Sequence, residues 1–198
     1  MRKSIILIIF ALVLFMTGCT SLGESKERTN GKDIIKKINE IIENEEEKNI
    51  GTNPNDGVDY KESDLKTIYL AGGCFWGLEA YMERIYGVAD VVSGYANGKT
   101  ENPTYEDVSH KNTGHAETLE VKYDPNKISL DELLNYYLKV IDPTSLNKQG
   151  NDEGTQYRTG VYFTDEKDRE IIEKKLEDEQ EKYKDKIVVE VKKLENFY

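Results

Sequence analysis

From residue 66 onward, apolar and polar residues follow the patterns typical of short strands and amphipathic helices. Strands are predicted at 67–71, 88–94, 116–123, 161–164 and 187–191. Helices are predicted at 75–86, 129–141 and 165–184, with a short helical turn near Tyr105 inside the loop 97–112. Ser129 and Glu132 have the spacing of a capping box. The order β-α-β-β-α-β, followed by α-β, matches the split βαβ plan. The predicted fold is therefore α+β, a two-layer ferredoxin-like sandwich with helices packed on a mixed sheet.

The first eighteen residues have the pattern of an export signal. Arg2 and Lys3 precede an apolar run, residues 5–16, that is too short to span a bilayer as a mature helix. The run leads into Met-Thr-Gly followed by Cys19, which resembles a bacterial lipobox, where the cysteine is lipidated and becomes the mature N-terminus. We expect a lipoprotein signal peptide over 1–18 and an exported protein that is lipid-anchored to the bacterial cell envelope through Cys19. An ordinary signal peptide or an uncleaved anchor is the alternative, and either would still export the chain.

Residues 19–65 are rich in Glu, Lys, Asn, Gly and Ser, which favours a charged tether between the lipid and a domain over 66–198. Five isoleucines between residues 34 and 42 fall at helical spacing and could form a docking helix. A spacer with transient helix is the simpler interpretation, because short isolated helices are marginal in water.

Charge excludes several classes of partner. The formal net charge is −11, and removal of the two basic residues of the signal takes it to −13. Such a domain is repelled by nucleic-acid phosphates and by anionic lipid, so nucleic-acid binding is excluded and membrane attachment would come from lipid alone. The predicted domain has one cysteine and two histidines without a ligand pair at metal-site spacing, so we predict no metal site.

Cys74 is the residue with the clearest chemical potential. It follows Gly72 and Gly73 at the junction of a predicted strand and helix, which would place it in the first turn. Free N–H groups and the helix dipole there favour a thiolate. Phe75 and Trp76 follow directly and can wall a small apolar pocket. A lone thiol in an exported domain is unusual, which favours a functional role over a structural one.

Glu117 is the candidate proton donor. On strand 116–123 it shares a face with Leu119 and Val121, so its carboxyl is predicted to point toward the core. Burial favours the neutral acid. A Glu at a strand end that simply reaches solvent is the alternative. His115 has the same parity as Glu117 and either lines the site or caps a loop.

Two tyrosines and an aspartate complete the candidate set. Tyr105 lies in a turn, and Tyr157 lies in the long polar loop 142–160, which also contains Asp152. Two phenol donors beside a neutral carboxylic acid would form a hydrogen-bonding pocket for a polarised oxygen, and Asp152 could orient those donors.

Several ordered blocks from residue 66 to the end resemble the type A peptide methionine sulfoxide reductases. They are Gly73-Cys74-Phe75-Trp76-Gly77, Gly94-Tyr95, Asn102-Pro103-Thr104-Tyr105, Thr113-Gly114-His115-Ala116-Glu117, Asp142-Pro143-Thr144 and the stretch from Gln149 to Arg158. The resemblance implies reduction of methionine S-sulfoxide, free or in oxidised proteins, as repair of oxidative damage. It implies no cofactor, and an external thiol reductant such as thioredoxin.

The resemblance also implies roles for individual residues. Cys74 matches the family's nucleophile, Glu117 the acid that protonates the sulfoxide oxygen, and Phe75 and Trp76 the wall that holds the substrate methyl group. Tyr105 and Tyr157 match the two phenols that hydrogen-bond this oxygen, and Asp152 matches a further polar residue of the pocket.

One departure from the family concerns turnover. Many members have a resolving cysteine near the C-terminus, and relatives usually continue beyond the segment that ends here at Tyr198. We expect a truncated form, a following domain with its own thiol, or a one-cysteine enzyme regenerated directly by an external thiol. Two other functions stay open from the residues alone. One is a cysteine hydrolase using Cys74 and His115, and the other is a lipoprotein that binds oxidised partners without turnover.

Overall fold

The computed structural model describes residues 53–198. Within this range the elements in chain order are β1 Lys66–Ala71, α1 Phe75–Met82, β2 Val88–Ala96, α2 Tyr105–His110, β3 Ala116–Tyr123, α3 Leu130–Val140, β4 Lys148–Gln149, β5 Asp152–Glu153, β6 Gly160–Phe163, α4 Glu166–Gln180 and β7 Glu190–Lys193. A 3₁₀ turn covers Thr155–Tyr157.

Five of the strands form one mixed sheet in the order β2-β3-β1-β6-β7. The pairs β2–β3, β3–β1 and β1–β6 are antiparallel, and β7 joins the edge parallel to β6. The first four strands have the order expected of a split βαβ plan, so the predicted ferredoxin-like fold is confirmed, with β7 added as a fifth strand. In the β2–β3 register, Tyr95 lies directly opposite Glu117.

Helices cover one face of this sheet and enclose the main core. Leu70 of β1 and Leu119 of β3 are fully buried there against Met82 of α1 and Leu133 of α3. Burial of a side chain of this size contributes about 1.5–3 kcal/mol. The opposite face has a smaller buried cluster built around Tyr69 and Tyr162, and the C-terminal residues Leu194 and Phe197 pack on it.

The predicted helix cap at Ser129 is confirmed. Its hydroxyl accepts from the Glu132 N–H at 3.2 Å, and the Glu132 carboxylate accepts from the Ser129 N–H at 3.0 Å. Other boundaries are shorter than predicted. α1 stops at Met82, and tight turns lead to Gly87, which has φ +95°. α4 stops at Gln180, whose side-chain amide bonds the backbone of Tyr183, Asp185 and Ile187.

The described end of the predicted tether packs on the domain. The Asn55 amide donates to the carbonyls of Glu83 and Ile85, both at 2.9 Å. Ser63 donates to the Asp124 carboxylate at 2.9 Å. Residues 53–65 are therefore fixed by side-chain hydrogen bonds, which the composition of a spacer did not indicate. The predicted signal peptide, Cys19 and the isoleucine-rich segment lie outside the described residues. Between residues 53 and 198, no helix is both long enough and apolar enough to cross a membrane.

Candidate active site

Cys74 lies at the N-cap of α1, with φ −62° and ψ 117°, and the helix begins at Phe75. The predicted first-turn position is therefore corrected by one residue. Gly73 precedes it with φ +78°, and a Cβ there would approach the Gln149 side chain to 2.8 Å. Only glycine adopts this turn without strain. The thiol is free and half-buried, so the turn leaves the sulfur accessible at the start of a helix.

Glu117 lies directly beside this helix start. Its side chain points to the helix face of β3, as predicted, and the residue is 2% exposed. The carboxylate oxygen Oε2 accepts a hydrogen bond from the Phe75 N–H at 3.1 Å. Burial raises the pKa of Glu117, the Phe75 N–H opposes that rise, and the Asp152 carboxylate adds to it. The site thus contains a carboxyl with a raised pKa, bonded to the N–H of the residue that follows the cysteine.

The long loop 142–160 also brings Asp152 and Tyr157 close to Glu117. The Gln149 side chain holds the loop through two bonds of 2.8 Å to the backbone of Asp142, and β4 and β5 form a small hairpin. The Gly73 N–H donates to the Tyr157 carbonyl at 3.3 Å. Burial raises the pKa of the Tyr157 phenol, and the charges of Glu117, Tyr105, Asp152 and Cys74 contribute in that order. The predicted long polar loop 142–160 therefore contains a small hairpin and a 3₁₀ turn and contributes to the site.

Tyr105 is the first residue of α2, which is fixed by a capping box between Thr104 and Asp107. Its ring stacks on Trp76 with centroids 6.4 Å apart and planes within 6°. Trp76 also contacts Phe75 at 5.8 Å and is 64% exposed. The two aromatics predicted as a wall and the Tyr105 phenol therefore form one surface next to Cys74.

Tyr95 belongs to the site but was not predicted as a site residue. Its ring lies 5.6 Å from Phe75. Burial raises the pKa of its phenol, and Glu117, Tyr105 and Tyr157 contribute. Two signals point to this position: Gly94-Tyr95 is one of the blocks that resemble the family, and Tyr95 is the cross-strand partner of Glu117.

His115 caps a loop, the second of its two predicted roles. Its ring is 1% exposed, its Nε2 lies 2.9 Å from the Thr100 carbonyl, and it contacts the Tyr198 ring edge-on at 5.8 Å. The prediction that His115 and Glu117 share a face of the strand requires both residues to lie in β3. That strand begins only at Ala116, after Gly114 turns the chain with φ +75°, so His115 lies outside it and away from the site. The part of the chain from residue 53 onward has no cluster of three potential metal ligands.

The chain was compared with known families and proteins. The family model for peptide methionine sulfoxide reductase matches residues 66–198. The peptide methionine sulfoxide reductase MsrA of Lachnoclostridium phytofermentans is 58% identical over 133 residues, which cover 67% of this chain and 80% of that protein. The chain belongs to the peptide methionine sulfoxide reductases.

Solved structures agree with this assignment. Reduced Mxr1 from Saccharomyces cerevisiae is similar with a TM-score of 0.65 and 38% identity, covering 72% of this chain and 83% of that chain. Mxr1 in complex with Trx2 matches with a TM-score of 0.53 and 30% identity, covering 72% of this chain and 85% of that chain.

The family assignment confirms the predicted enzyme class. This reductase converts methionine sulfoxide to methionine in the repair of oxidised proteins, in a thiol-dependent reaction that needs no cofactor. The cysteine hydrolase and the binding protein without turnover are therefore set aside.

Proposed function

We propose that Cys74 is the nucleophile of this reductase and that Glu117 is the acid that protonates the sulfoxide oxygen. The observation that supports both roles is the 3.1 Å hydrogen bond from the Phe75 N–H to the buried Glu117 carboxylate. Because Phe75 follows Cys74 directly, this bond keeps the carboxyl at the helix start where the half-buried thiol lies.

The chemistry requires activation of the oxygen before attack on sulfur. A sulfoxide is a poor electrophile until its oxygen gains a proton or a strong hydrogen bond. Glu117 supplies the proton, while the phenols of Tyr105 and Tyr157 donate hydrogen bonds to the same oxygen. Asp152 acts as a polar residue of the pocket that raises the pKa of Glu117. Phe75 and Trp76 form the apolar wall that holds the methyl group.

The first half-reaction transfers oxygen between two sulfurs. The Cys74 sulfur attacks the substrate sulfur, the substrate S–O bond breaks as the protonated oxygen passes to Cys74, and methionine leaves with the electron pair. Thiol and sulfoxide thus become sulfenic acid and thioether, with Cys74 oxidised and the substrate reduced by two electrons. Two external thiols then return Cys74 to the thiol, releasing water and a disulfide. Residues 53–198 contain no second cysteine, and we therefore assign the reduction of the sulfenic acid to an external thiol.

Dimedone trapping tests the first half-reaction. The full chain with Cys19→Ser, which leaves Cys74 as the single thiol, is mixed with one equivalent of methionine S-sulfoxide and dimedone. We expect about one methionine per chain and a dimedone adduct on Cys74 in the mass spectrum. The R-sulfoxide is the matched substrate control and should give neither product. Methionine formation without modification of Cys74, or by Cys74→Ser, would contradict the proposed nucleophile.

Thioredoxin is the proposed reductant. The proposal is supported by the solved complex of Mxr1 with Trx2, a protein similar to this chain. Steady-state turnover with thioredoxin, thioredoxin reductase and NADPH should exceed one methionine per chain. If turnover occurs with dithiothreitol but stops after one equivalent with thioredoxin, the reductant must be a different thiol.

Export and lipid anchoring complete the proposal. They rest on the basic and apolar pattern of residues 1–18 and on Cys19 at the lipobox position. In a bacterial host, labelled palmitate should be incorporated into the full chain and not into Cys19→Ser. Recovery of unlabelled wild-type chain in the soluble fraction would rule out the anchor without affecting the reductase assignment.

A further inference from the structure

An aromatic cleft adjoins the proposed active site and extends from its aromatic wall toward β2 and Tyr198. The rings of Phe75, Trp76, Tyr95, Tyr105 and Tyr198 line it, and the backbone of β2 at Ser93 and Gly94 forms its floor. Its volume is about 420 Å³, enough for a large side chain. It shares Phe75, Trp76 and Tyr105 with the active site but does not include Cys74, Glu117 or Tyr157.

Tyr198 is brought to the cleft by the C-terminal segment, residues 194–198, which crosses the sheet face opposite the helices. Phe197 packs on Tyr69 with ring centroids 5.2 Å apart. Tyr198 then pairs with the outer edge of β2, because its N–H donates to the Tyr95 carbonyl at 3.1 Å and its carbonyl accepts from the Tyr95 N–H at 3.0 Å. The backbone at Tyr198 is thus held as firmly as a residue of the sheet.

Hydrogen bonds of two asparagine side chains fix the same segment just before Tyr198. The Asn196 side chain bonds both the N–H and the carbonyl of Gly98, at 3.3 and 3.0 Å. The Asn97 carboxamide oxygen accepts from the Glu195 N–H at 2.8 Å. These bonds set the register of residues 194–198 on β2 and therefore the position of the Tyr198 ring.

Gly94 permits this close approach. A Cβ at Gly94 would lie 2.5 Å from the Phe197 ring and 2.5 Å from the Tyr198 carbonyl. Any larger residue there would push residues 197 and 198 away from β2. The absence of a side chain at Gly94 therefore gives Phe197 and Tyr198 the space to pack against β2.

The chemistry of the lining defines its occupant. The chain is strongly acidic, yet among the described residues none of the side chains that line the cleft is charged. Trp76, Tyr105 and Tyr198 are 64%, 46% and 40% exposed, so a large aromatic surface faces solvent here. Surfaces of this kind bind apolar and aromatic side chains. Successive residues of an extended peptide are only about 3.3–3.6 Å apart, so a neighbour of the reacting methionine can reach a cleft that shares the Trp76 wall.

We propose that this cleft is a subsite for an apolar or aromatic side chain that flanks methionine sulfoxide in an oxidised polypeptide, with Tyr198 as its specificity-determining residue. This proposal rests on the proposed function, because the flanking residue is defined relative to a methionine sulfoxide bound at Cys74.

Competition between two peptides tests the subsite. One blocked peptide has methionine S-sulfoxide next to Phe, the other has it next to Ser, and N-acetylmethionine S-sulfoxide is the substrate without a neighbour. We expect the full chain to show a kcat/KM about fivefold or more higher for the Phe peptide than for the Ser peptide. Tyr198→Ala should lower this ratio to below about twofold through a higher KM, while Tyr198→Phe should retain it.

Two further variants keep the test decisive. Gly94→Ala should reduce the ratio as Tyr198→Ala does, because it displaces the same segment. Tyr136→Ala is the matched control, since Tyr136 is also 40% exposed but lies on α3 away from the cleft, and it should retain the ratio.

If Tyr198→Ala has the same ratio of kcat/KM for the Phe and Ser peptides as the full chain, and still reduces N-acetylmethionine S-sulfoxide, the subsite is wrong and the proposed function is unaffected. A full chain that reduces none of the three substrates would instead contradict the proposed function.

Discussion

Two glutamates of the same sheet, the buried Glu117 and the partly buried Glu190, have opposite pKa shifts. The difference separates the region of catalysis from a region of structure. Glu117 lies at the helix start beside Cys74, where burial raises its pKa and the groups that act on it are the Phe75 N–H and the Asp152 carboxylate. Glu190 on β7 is also affected first by burial, but Lys192 and Arg158 lower its pKa below the ordinary value. Burial alone does not decide the protonation state, because a cationic partner reverses its effect.

The partners of Glu190 show a structural arrangement. Arg158 Nε lies 2.9 Å and the Tyr162 hydroxyl 3.1 Å from the same carboxylate oxygen, and Lys192 lies 2.7 Å from the other. These bonds connect the end of the long loop to β6 and β7. The Glu117 carboxyl, in contrast, accepts a hydrogen bond from the Phe75 N–H, which leaves the carboxyl able to exchange a proton.

The largest expected effect comes from removing the acid. Glu117→Gln keeps the shape and the acceptor for the Phe75 N–H but cannot supply a proton, so the rate of the first half-reaction should fall by about 10²-fold or more. Single-turnover methionine release measures this step. Glu170→Gln, an exposed residue of α4, is the matched control and should be unchanged. A decrease of less than about threefold in Glu117→Gln would show that another group protonates the oxygen.

The pH dependence of the same step should be next in size. The carboxyl of Glu117 is neutral below its raised folded pKa, so the single-turnover rate should fall about tenfold per pH unit above that value. The free energy of unfolding should change with pH in the same direction as the rate. Because the pKa of Glu117 is raised in the folded state, its contribution to stability is fully present below the pKa of the unfolded state and is lost as pH rises through the pKa of the folded state. Glu117→Gln should lack this alkaline decline in both measurements. An alkaline limb that persists in the variant would assign it to a different group.

A tyrosine substitution should have a smaller effect. Tyr157→Phe removes one donor to the sulfoxide oxygen while Tyr105 and Glu117 stay, and we expect a rate about tenfold lower, the value of one lost hydrogen bond. Tyr136→Phe serves as the control. Equal rates for Tyr157→Phe and wild type would place the phenol outside the reaction.

The smallest effect on rate is expected at Glu190. Glu190→Gln should change turnover by less than about twofold but lower the free energy of unfolding by about 1–3 kcal/mol, since Arg158 is left without its carboxylate. Because the folded pKa of Glu190 is lowered, this stabilisation should be present above the unfolded pKa and lost as pH falls through the folded one. Urea unfolding at two pH values checks both points. A large loss of turnover with unchanged stability would reverse the comparison between the two glutamates.

Much of the fold follows from periodicity. The bounds of β3 agree with the predicted strand 116–123, and the alternation that buries Leu119 also placed Glu117 on the correct face. The Ser129 cap followed from local spacing alone. These features depend on residues close together in sequence, which is why the sequence was sufficient.

Features set by tertiary contacts could not be predicted. β7 was predicted at 187–191 but lies at Glu190–Lys193, since pairing with β6 defines its register. Tyr95 enters the site through its cross-strand partner, and His115 leaves it because the chain turns at Gly114. Tyr198 reaches the aromatic cleft from the far end of the chain, by a path over the sheet that no local pattern encodes.

Carbon-13 NMR of the glutamate carboxyls tests the account most directly. The signals of Glu117 and Glu190 can be assigned by their loss in the two Gln variants and then followed in one titration of the wild-type chain. We expect Glu117 to titrate above the ordinary glutamate value of about 4.3 and Glu190 below it. Titration of Glu117 at or below the ordinary value would contradict the claim that burial beside Cys74 raises the pKa of this acid.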